Sequence, residues 1–329
     1  MSDSMKAVVM REPGDPEVLE LRDVPRPEPG PGEVRVRVAS SGLNRADLLR
    51  RRGRYPASPG TPPDILGLEI AGTVDALGPG DTPLAVGDEV MGILGGGAYA
   101  EYAISPAVTL VPTPRGMPPV TAGAIPEVFM TAFDAVFLQE GLQAGETLLV
   151  HAVGSGVGTA AVQLGARAGA TVIGTSRTPE KLERAAALGM THGVLADDRW
   201  PERVLELTGG RGANVILDLV GGPYLAGNQR VVAERGRHIV VGVPGGSDAQ
   251  ISLGALMGRR ASIRGTLLRV RSVEEKRALA EAFARDVLPS FETGDLQPII
   301  DRVYPARDAA EAHRHMESNE SFGKILLEW

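Results

Sequence analysis

The sequence contains no cysteine in 329 residues, and only 4% of its residues are aromatic. Without cysteine there can be no disulfide, no thiolate nucleophile and no cysteine ligand at a structural or catalytic metal. The five histidines do not replace those ligands. Only His313 and His315 are close in sequence, and an i, i+2 pair on a helix points in different directions. We therefore expect no metal site and interpret both residues as polar surface residues.

Long apolar runs and basic clusters are also scarce. No apolar stretch approaches the roughly 18 residues of a membrane helix, and the N-terminal residues lack a signal-peptide core, so we expect a cytoplasmic protein that does not enter a membrane. The net charge is −7. The one basic run has no interleaved aromatic residues, which argues against a nucleic-acid partner. We interpret this run as the polar face of a surface helix; it consists of Arg50, Arg51, Arg52 and Arg54.

The most informative segment present is ETLLVHAVGSGVGTAAVQL, residues 146–164. An apolar run over 147–152 predicts a strand, and the amphipathic stretch 159–168 predicts a helix. Glycines between them allow the first N–H groups of the helix to approach a pyrophosphate closely. The spacing is GxGxG rather than GxGxxG, so a strand-to-helix corner without a ligand is the alternative. The predicted cofactor contacts of this turn are Gly154, Ser155, Gly156, Val157 and Gly158.

The following residues extend this turn into a parallel sheet. A strand over 170–174 with a helix after it completes a βαβ unit, and the strands 214–220 and 237–243 also run into glycines. Glycines at the carboxyl ends of parallel strands make room for a flat ligand, so we expect Gly242 and Val243 to contact the cofactor.

The end of the second strand predicts which cofactor is bound. An NAD-specific unit has an acidic residue there, whereas this sequence has Ser176 and Arg177, followed by Lys181 on the next helix. Two cations without the acid favour the 2′-phosphate of NADPH. The alternative is that both are solvent-facing charges at a helix start.

The flanking regions have a different pattern. Residues 1–125 contain short strands separated by glycine and proline, which favours an all-β, barrel-like unit. Helices around 273–288 and 306–317 and a strand at 323–327 come after the nucleotide-binding region. We interpret this tail as returning to the first domain. The predicted domains are therefore 1–125 with 266–329, and 126–265, in an α/β protein.

Six segments resemble the zinc-free quinone oxidoreductases of the medium-chain dehydrogenase/reductase superfamily, and most closely the subgroup induced in the tumour-suppressor response. The resemblance implies a GroES-like β-barrel catalytic domain, a Rossmann domain with a doubly wound parallel sheet, and NADPH in the cleft between them. It also implies a homodimer formed through an edge strand, here residues 261–268. The segments are 42–56, 65–74, 86–102, 125–136, 151–164 and 323–328.

The resemblance also implies roles for individual residues. Tyr55 falls in the substrate pocket, Asn44 near the nicotinamide and Thr131 near the carboxamide, while Asn319 and Lys324 match C-terminal cofactor contacts. Local alternatives remain open for three of them. Tyr55 could have no role beyond packing under a loop. Asn44 could be a helix cap with an acid three residues later, and Thr131 could hydrogen-bond its own helix.

The segment Gly67-Leu68-Glu69 resembles the Gly-His-Glu of zinc-dependent relatives, in which the histidine ligates the metal. With leucine there and no cysteine, no Lewis acid polarises a carbonyl, so alcohol–ketone interconversion is not expected. Quinones accept hydride without a metal. We therefore expect NADPH-dependent quinone reduction. The alternatives are reduction of other α,β-unsaturated carbonyls or enoyl thioesters, and a nonenzymatic crystallin-like or RNA-binding role.

Overall fold

The computed structural model describes residues 3–329. Within this range the chain divides into two compact units. Unit 1 consists of residues 3–130 and Leu268–Trp329, and unit 2 consists of Thr131–Leu267. Each unit is built around its own sheet.

Unit 1 contains a seven-stranded sheet and a separate hairpin, β1-β2. The order in the sheet is β14-β15-β3-β4-β5-β7, with β6 also paired to β3. Alternation places Val34, Val36 and Val38 of β3 in the core. The strands are β1 (Ser4–Met10), β2 (Leu19–Pro25), β3 (Glu33–Gly42), β4 (Glu69–Leu77), β5 (Glu89–Ile93), β6 (Tyr102–Pro106), β7 (Leu110–Pro112), β14 (Ile300–Pro305) and β15 (Lys324–Glu328).

Unit 2 contains a six-stranded sheet with the order β10-β9-β8-β11-β12-β13, and all its pairings are parallel. This order is that of a doubly wound sheet, in which ligands bind at the carboxyl ends of the strands. The predicted parallel sheet is confirmed. Its strands are β8 (Thr147–Val150), β9 (Thr171–Ser176), β10 (His192–Leu195), β11 (Ala213–Asp218), β12 (Val232–Val240) and β13 (Ser262–Gly265).

Helices cover both sheets. Residues Asp134–Gln139 continue the third helix as a π-helix. The helices are α1 (Arg45–Arg51), α2 (Pro119–Ala122), α3 (Pro126–Phe133), α4 (Gly156–Arg167), α5 (Pro179–Ala186), α6 (Trp200–Leu207), α7 (Leu225–Val231), α8 (Leu253–Arg259), α9 (Val273–Asp286), α10 (Pro289–Glu292) and α11 (Ala309–Ser318).

The basic run on α1 is not a solvated face. Arg50 and Arg51 are buried, 4% and 0% exposed, whereas Arg52 and Arg54 are exposed. His313 is likewise fully buried. The prediction of surface positions for these three residues was therefore wrong, because their partners come from distant parts of the chain.

A buried chain of hydrogen bonds explains these positions. His313 Nδ1 lies 3.2 Å from Arg51 Nη1, and His313 Nε2 lies 3.2 Å from Tyr99 Oη. The Tyr99 hydroxyl donates to Asp47 Oδ2 at 3.3 Å. A guanidinium can only donate, so Nδ1 must accept and the proton lies on Nε2. Arg51 is neutralised by Glu317, 2.5 Å away.

Burial changes the protonation of this chain. It lowers the pKa of His313 to about 3, with the positive charge of Arg51 as a second cause. Burial also raises the pKa of Asp47 to about 6, against hydrogen bonds from the backbone of Asn44 and Gly67. At neutral pH the imidazole is therefore neutral and Asp47 is mostly ionised.

His313 should make folding stability fall in weak acid. Its pKa is lower in the folded chain than the ordinary 6.5, so the unfolded chain binds the extra proton between these values and stability is lost as pH falls. Between pH 7 and pH 5 the loss is about 2 kcal/mol. We expect His313→Gln to lose about 2 kcal/mol less than wild type over that interval, measured by urea unfolding.

Asp47 acts in the opposite sense, since its raised pKa lets the folded chain gain a proton as pH falls below about 6. This contribution is common to wild type and the variant and cancels in the comparison. Equal pH dependence of the two proteins would contradict the buried neutral state of His313.

Candidate functional site

Asn44 lies at the start of α1 and joins several elements of unit 1. Its backbone N–H donates to Asp47 Oδ2 at 2.9 Å, and the capping box that Asn44 forms with Asp47 is present. The side chain of Asn44 has further partners. Nδ2 donates to Glu69 Oε1 at 2.9 Å, and Oδ1 accepts from Lys324 Nζ at 2.9 Å. Asn44 is therefore a helix cap whose side-chain amide also joins Glu69 and Lys324.

Lys324 and Glu69 form a buried ion pair with a separation of 2.6 Å. The ammonium also donates to Leu43 O at 2.6 Å and to Asn44 Oδ1. Its three N–H groups thus meet three acceptors. The other carboxylate oxygen of Glu69 accepts from the Glu127 N–H at 2.8 Å. Sequence reasoning gave Lys324 a cofactor contact, which stays a prediction. In unit 1 the ammonium of Lys324 joins the beginnings of β15 and β4, next to the start of α1.

Glu127, on the first turn of α3, is a candidate that sequence reasoning missed. Its Oε2 atom is buried and has no hydrogen-bond partner among the described residues. Burial, followed by the negative charge of Glu69, raises its pKa to about 8. A carboxyl group that is protonated at neutral pH can donate a hydrogen bond or a proton. The signal in the sequence was an acid inside an otherwise apolar helix, IPEVFMTAF.

Tyr55 lies in the loop after α1 and is half-buried. The guanidinium carbon of Arg269 is 4.4 Å from the centroid of its ring, and Arg269 Nη1 donates to Pro56 O at 3.3 Å. Burial raises the pKa of Tyr55, with Arg269 acting against it. The phenol is therefore a protonated donor at neutral pH. Arg269 occupies one face of the ring, which the sequence did not indicate.

In unit 2 the glycine turn has the predicted form. Ser155 precedes α4, and its Oγ accepts from the Gly158 N–H at 3.0 Å. A Cβ atom on Gly158 would lie 2.5 Å from Ala152 O, so only glycine permits this close approach. Gly156 and Val157 form the first turn of α4. The turn presents helix N-terminal N–H groups, the arrangement that binds phosphate.

One of the two predicted cationic residues, Lys181, lies against this turn. A Cβ atom on Gly154 would lie 2.6 Å from Lys181 Cδ, so the aliphatic stem of Lys181 crosses Gly154. Ser176 ends β9 and its Oγ accepts from the Thr178 N–H at 3.2 Å. Arg177 follows and is exposed. The fold thus brings Gly154 and Lys181 into contact, while Ser176 and Arg177 end the strand beside β8.

The remaining predicted contacts are dispersed. Thr131 is a buried residue of α3, and Gly242 and the exposed Val243 follow β12 at the carboxyl edge of the parallel sheet. Asn319 is in unit 1, where it ends α11 in the left-handed conformation and accepts from Arg45 Nη2 at 2.6 Å. Their cofactor contacts stay predictions.

A polar network that sequence reasoning missed supports the carboxyl edge of the parallel sheet. His151 Nε2 lies 2.7 Å from Asn228 Oδ1, and Asn228 Nδ2 donates to Asp218 Oδ2 at 3.0 Å. His238 Nε2 is also 3.0 Å from Asp218 Oδ2. The second oxygen of Asp218 accepts two N–H groups of the next loop, both at 2.8 Å. Burial lowers the pKa of His151 to about 4, so it is neutral.

The donor set does not fit a catalytic zinc ion. Leu68 is a buried hydrocarbon side chain, 6% exposed, and no group of three His, Cys, Asp or Glu side chains in residues 3–329 has the arrangement to hold a metal. In the same range no helix is long and apolar enough to cross a membrane.

Comparisons with known proteins match both units. Residues 30–115 match the family described as "Alcohol dehydrogenase GroES-like domain", and residues 156–300 match "Zinc-binding dehydrogenase". The second description names zinc, but residues 3–329 contain no group of three side chains arranged to hold a metal ion.

Two relatives and one solved structure are similar over nearly the whole chain. A quinone oxidoreductase of Pseudomonas aeruginosa is 34% identical over 316 residues, which cover 95% of this chain and 96% of that protein. A 2-haloacrylate reductase of a Burkholderia species is 30% identical over 326 residues, 98% of each. A mycobacterial protein solved with NADPH has a TM-score of 0.88 and 29% identity, covering 99% of this chain and 100% of that one. This chain is therefore an oxidoreductase that belongs to the medium-chain dehydrogenase/reductase superfamily.

Proposed function

We propose that this chain reduces quinones with NADPH and without a metal ion. The observation that carries the proposal is the end of β9. There Ser176 and Arg177 occupy the position of the acid in an NAD-specific site, and the stem of Lys181 lies over Gly154. The helix N-terminal N–H groups of the glycine turn suit a pyrophosphate, so together with these cations the residues fit a dinucleotide with an additional phosphate.

The chain's own side chains would assist the acceptor. NADPH, when bound, supplies a hydride, and each quinone also takes one proton, so that quinone, NADPH and H⁺ give hydroquinone and NADP⁺. Negative charge develops on the acceptor oxygen during this step. The neutral phenol of Tyr55 can donate a hydrogen bond to that oxygen. Glu127, whose pKa of about 8 keeps it mostly protonated at neutral pH, is a second possible donor in unit 1.

Reduction of other conjugated carbonyl compounds is the second candidate, in which hydride adds to the β-carbon and a proton to the α-carbon. Arg269 favours it, because a cation on the ring of Tyr55 suits an acceptor that carries negative charge. The name of the Burkholderia relative, an acrylate reductase, points the same way. Oxidation of NADPH that depends on an added quinone or other conjugated carbonyl compound separates either enzyme from a crystallin-like or RNA-binding protein, which would show none.

A homodimer is part of the proposal. β13 is the last strand of the parallel sheet and pairs with β12 alone. Its free edge can accept the same strand of a second copy. Sedimentation equilibrium would distinguish a dimer from a monomer.

The purified protein should turn over without a metal. Because Leu68 stands at the position of the zinc-ligating histidine in zinc-dependent relatives, we expect no stoichiometric zinc by elemental analysis and no loss of quinone reductase activity with chelators. Protein from zinc-supplemented medium is the control. One tightly bound zinc ion per chain would contradict this expectation.

Tyr55 should contribute through both its ring and its hydroxyl. We expect Tyr55→Phe to lower kcat/KM for menadione by about twofold to tenfold, since one hydrogen bond is lost, and Tyr55→Ala by about tenfold to a hundredfold. The affinity for NADPH, measured by fluorescence titration, should be unchanged.

A matched control is Tyr304→Phe, which removes a hydroxyl that lies 3.1 Å from His315 instead. Tyr55 would be a packing residue only if both of its variants remained within twofold of wild type.

The cations after β9 should set the choice of cofactor. We expect wild type to prefer NADPH over NADH by about tenfold to a few hundredfold, since partly exposed contacts to a 2′-phosphate contribute roughly 1–1.5 kcal/mol each. Replacing Arg177 and Lys181 by Ala should raise KM for NADPH and leave the kinetics with NADH nearly unchanged. High salt should imitate this variant by screening the phosphate.

Arg184→Ala is the matched control, because this exposed residue lies in the last turn of α5 rather than the first. If the double variant bound NADPH and NADH equally more weakly, Arg177 and Lys181 would not recognise the 2′-phosphate.

A further inference from the structure

Arg26, Arg50 and Arg269 of unit 1 each have a buried N–H group without an acceptor in residues 3–329. Arg50 is 4% exposed, and its Nε and Nη1 atoms are buried with no hydrogen-bond partner among the described residues. Only Nη2 is used, donating to Pro62 O at 2.5 Å and to Pro63 O at 3.2 Å. Arg269 Nε is buried without a partner in the same way. Buried unsatisfied donors on a charged group are costly, so these atoms point to an acceptor supplied by a ligand.

The positive charges of Arg50 and Arg269 also lie near each other. Burial lowers the pKa of Arg50, the charges of Asp47 and Asp64 oppose this, and the charge of Arg269 lowers it further. Neither acid accepts a hydrogen bond from the unpartnered nitrogens of Arg50. An anion between the guanidiniums would offset their repulsion and satisfy their donors.

Glycines and a hydroxyl complete the surroundings. A Cβ atom on Gly96 would lie 2.5 Å from Arg50 Nη1, and one on Gly95 would lie 3.1 Å from Ser58 Oγ. Ser58 Oγ is itself buried without a hydrogen-bond partner. The guanidinium of Arg50 and the hydroxyl of Ser58 therefore both adjoin a stretch of backbone that has no side chains.

Arg269 places this group of donors beside Tyr55, whose ring centroid is 4.4 Å from the guanidinium carbon. A ligand anion bound here would therefore be only a few bonds from an acceptor held by the Tyr55 phenol. The phosphate of a carrier thioester does not meet this requirement, because a whole pantetheine arm separates it from the reacting carbons. A carboxylate on a small conjugated acceptor meets it, and its two oxygens match the guanidinium fork.

We propose that Arg50, Arg269 and Ser58 form a carboxylate-binding subsite, through which this chain also reduces conjugated carbonyl compounds that carry a carboxylate. This inference rests on the proposed reductase function. It adds the chemical class of the substrate and three residues to which sequence reasoning assigned no such role.

The kinetic test compares β-acetylacrylate with its methyl ester, which has the same conjugated skeleton without the charge. We expect Arg269→Gln to lower kcat/KM for the acid by about tenfold to a hundredfold, as for a charged hydrogen bond. The values of kcat/KM for the ester and for menadione should fall by a smaller factor, because for them only the contact of Arg269 with the ring of Tyr55 is lost. Arg269→Lys should recover part of the loss. Ser58→Ala, a milder change in a loop, should lower kcat/KM for the acid alone, by about twofold to tenfold.

The control variant is Arg277→Gln on α9. Arg277 is exposed and its Nε lies 2.7 Å from Glu281, so removing its charge should affect none of the three substrates. Equal losses on the acid and the ester in Arg269→Gln would overturn the subsite, because Arg269 would then only support the ring of Tyr55.

A binding test needs no turnover. Levulinate, the saturated product of β-acetylacrylate, should raise the melting temperature of wild type in a saturable way. Methyl levulinate should not, and Arg269→Gln should lose the effect of levulinate. Stabilisation by inorganic phosphate that is as strong as that by levulinate and is likewise lost in Arg269→Gln would overturn the assignment to a carboxylate, as would no stabilisation by levulinate. Failure of wild type to reduce any acceptor would refute the proposed reductase function, whereas levulinate binding reports on the subsite separately.

Discussion

The ion pair between Lys324 and Glu69 is the interaction on which the candidate site of unit 1 depends. It joins the beginnings of β15 and β4, and its hydrogen bonds extend to Asn44 before α1 and to the backbone of Glu127 in α3. Losing one member of such a pair leaves an uncompensated buried charge, at about 3–5 kcal/mol. Four segments distant in sequence are thus held by one ion pair, in which all three donors of the ammonium are used. This constraint fixes where Asn44 and Glu127 lie.

The single positive charge of Lys324 does not neutralise the surrounding acids, which are Asp47, Glu69 and Glu127. The pKa values of Asp47 and Glu127 are both raised, to about 6 and about 8, with burial as the main cause and the charge of Glu69 as a further one. The consequence is a buried group that holds a proton at neutral pH close to the ion pair. A reductase must deliver a proton as well as a hydride, and a raised carboxyl pKa is a known physical means of storing one. The same buried charges therefore contribute both to stability and to the delivery of a proton.

Local patterns predicted the parallel sheet and the glycine turn well, because hydrophobic runs and glycines report on the backbone near them. The strands β2 and β14 were not predicted, since charged residues and proline interrupt their apolar pattern and most of their residues are not buried. Arg51 and His313 were misassigned for a different reason. They hydrogen-bond each other across 262 positions of sequence, and no local pattern contains that partner. Arg269, on the ring of Tyr55, was missed for the same reason.

Two places in this chain have a local charge opposite in sign to its net charge. The protein carries a net charge of −7, yet Arg177 and Lys181 lie at the carboxyl edge of the parallel sheet, and the subsite proposed beside Tyr55 contains Arg50 and Arg269. A generally acidic surface repels anions, so small anionic molecules are attracted only where local cations outweigh it. At the sheet edge the cations are joined by helix N-terminal N–H groups, which suits phosphate. Beside Tyr55 they are planar guanidinium forks, which suit a carboxylate. The two units thus differ in the kind of anion that their donors can bind, and this difference gives a physical basis for binding a phosphorylated cofactor in one and an acidic acceptor in the other.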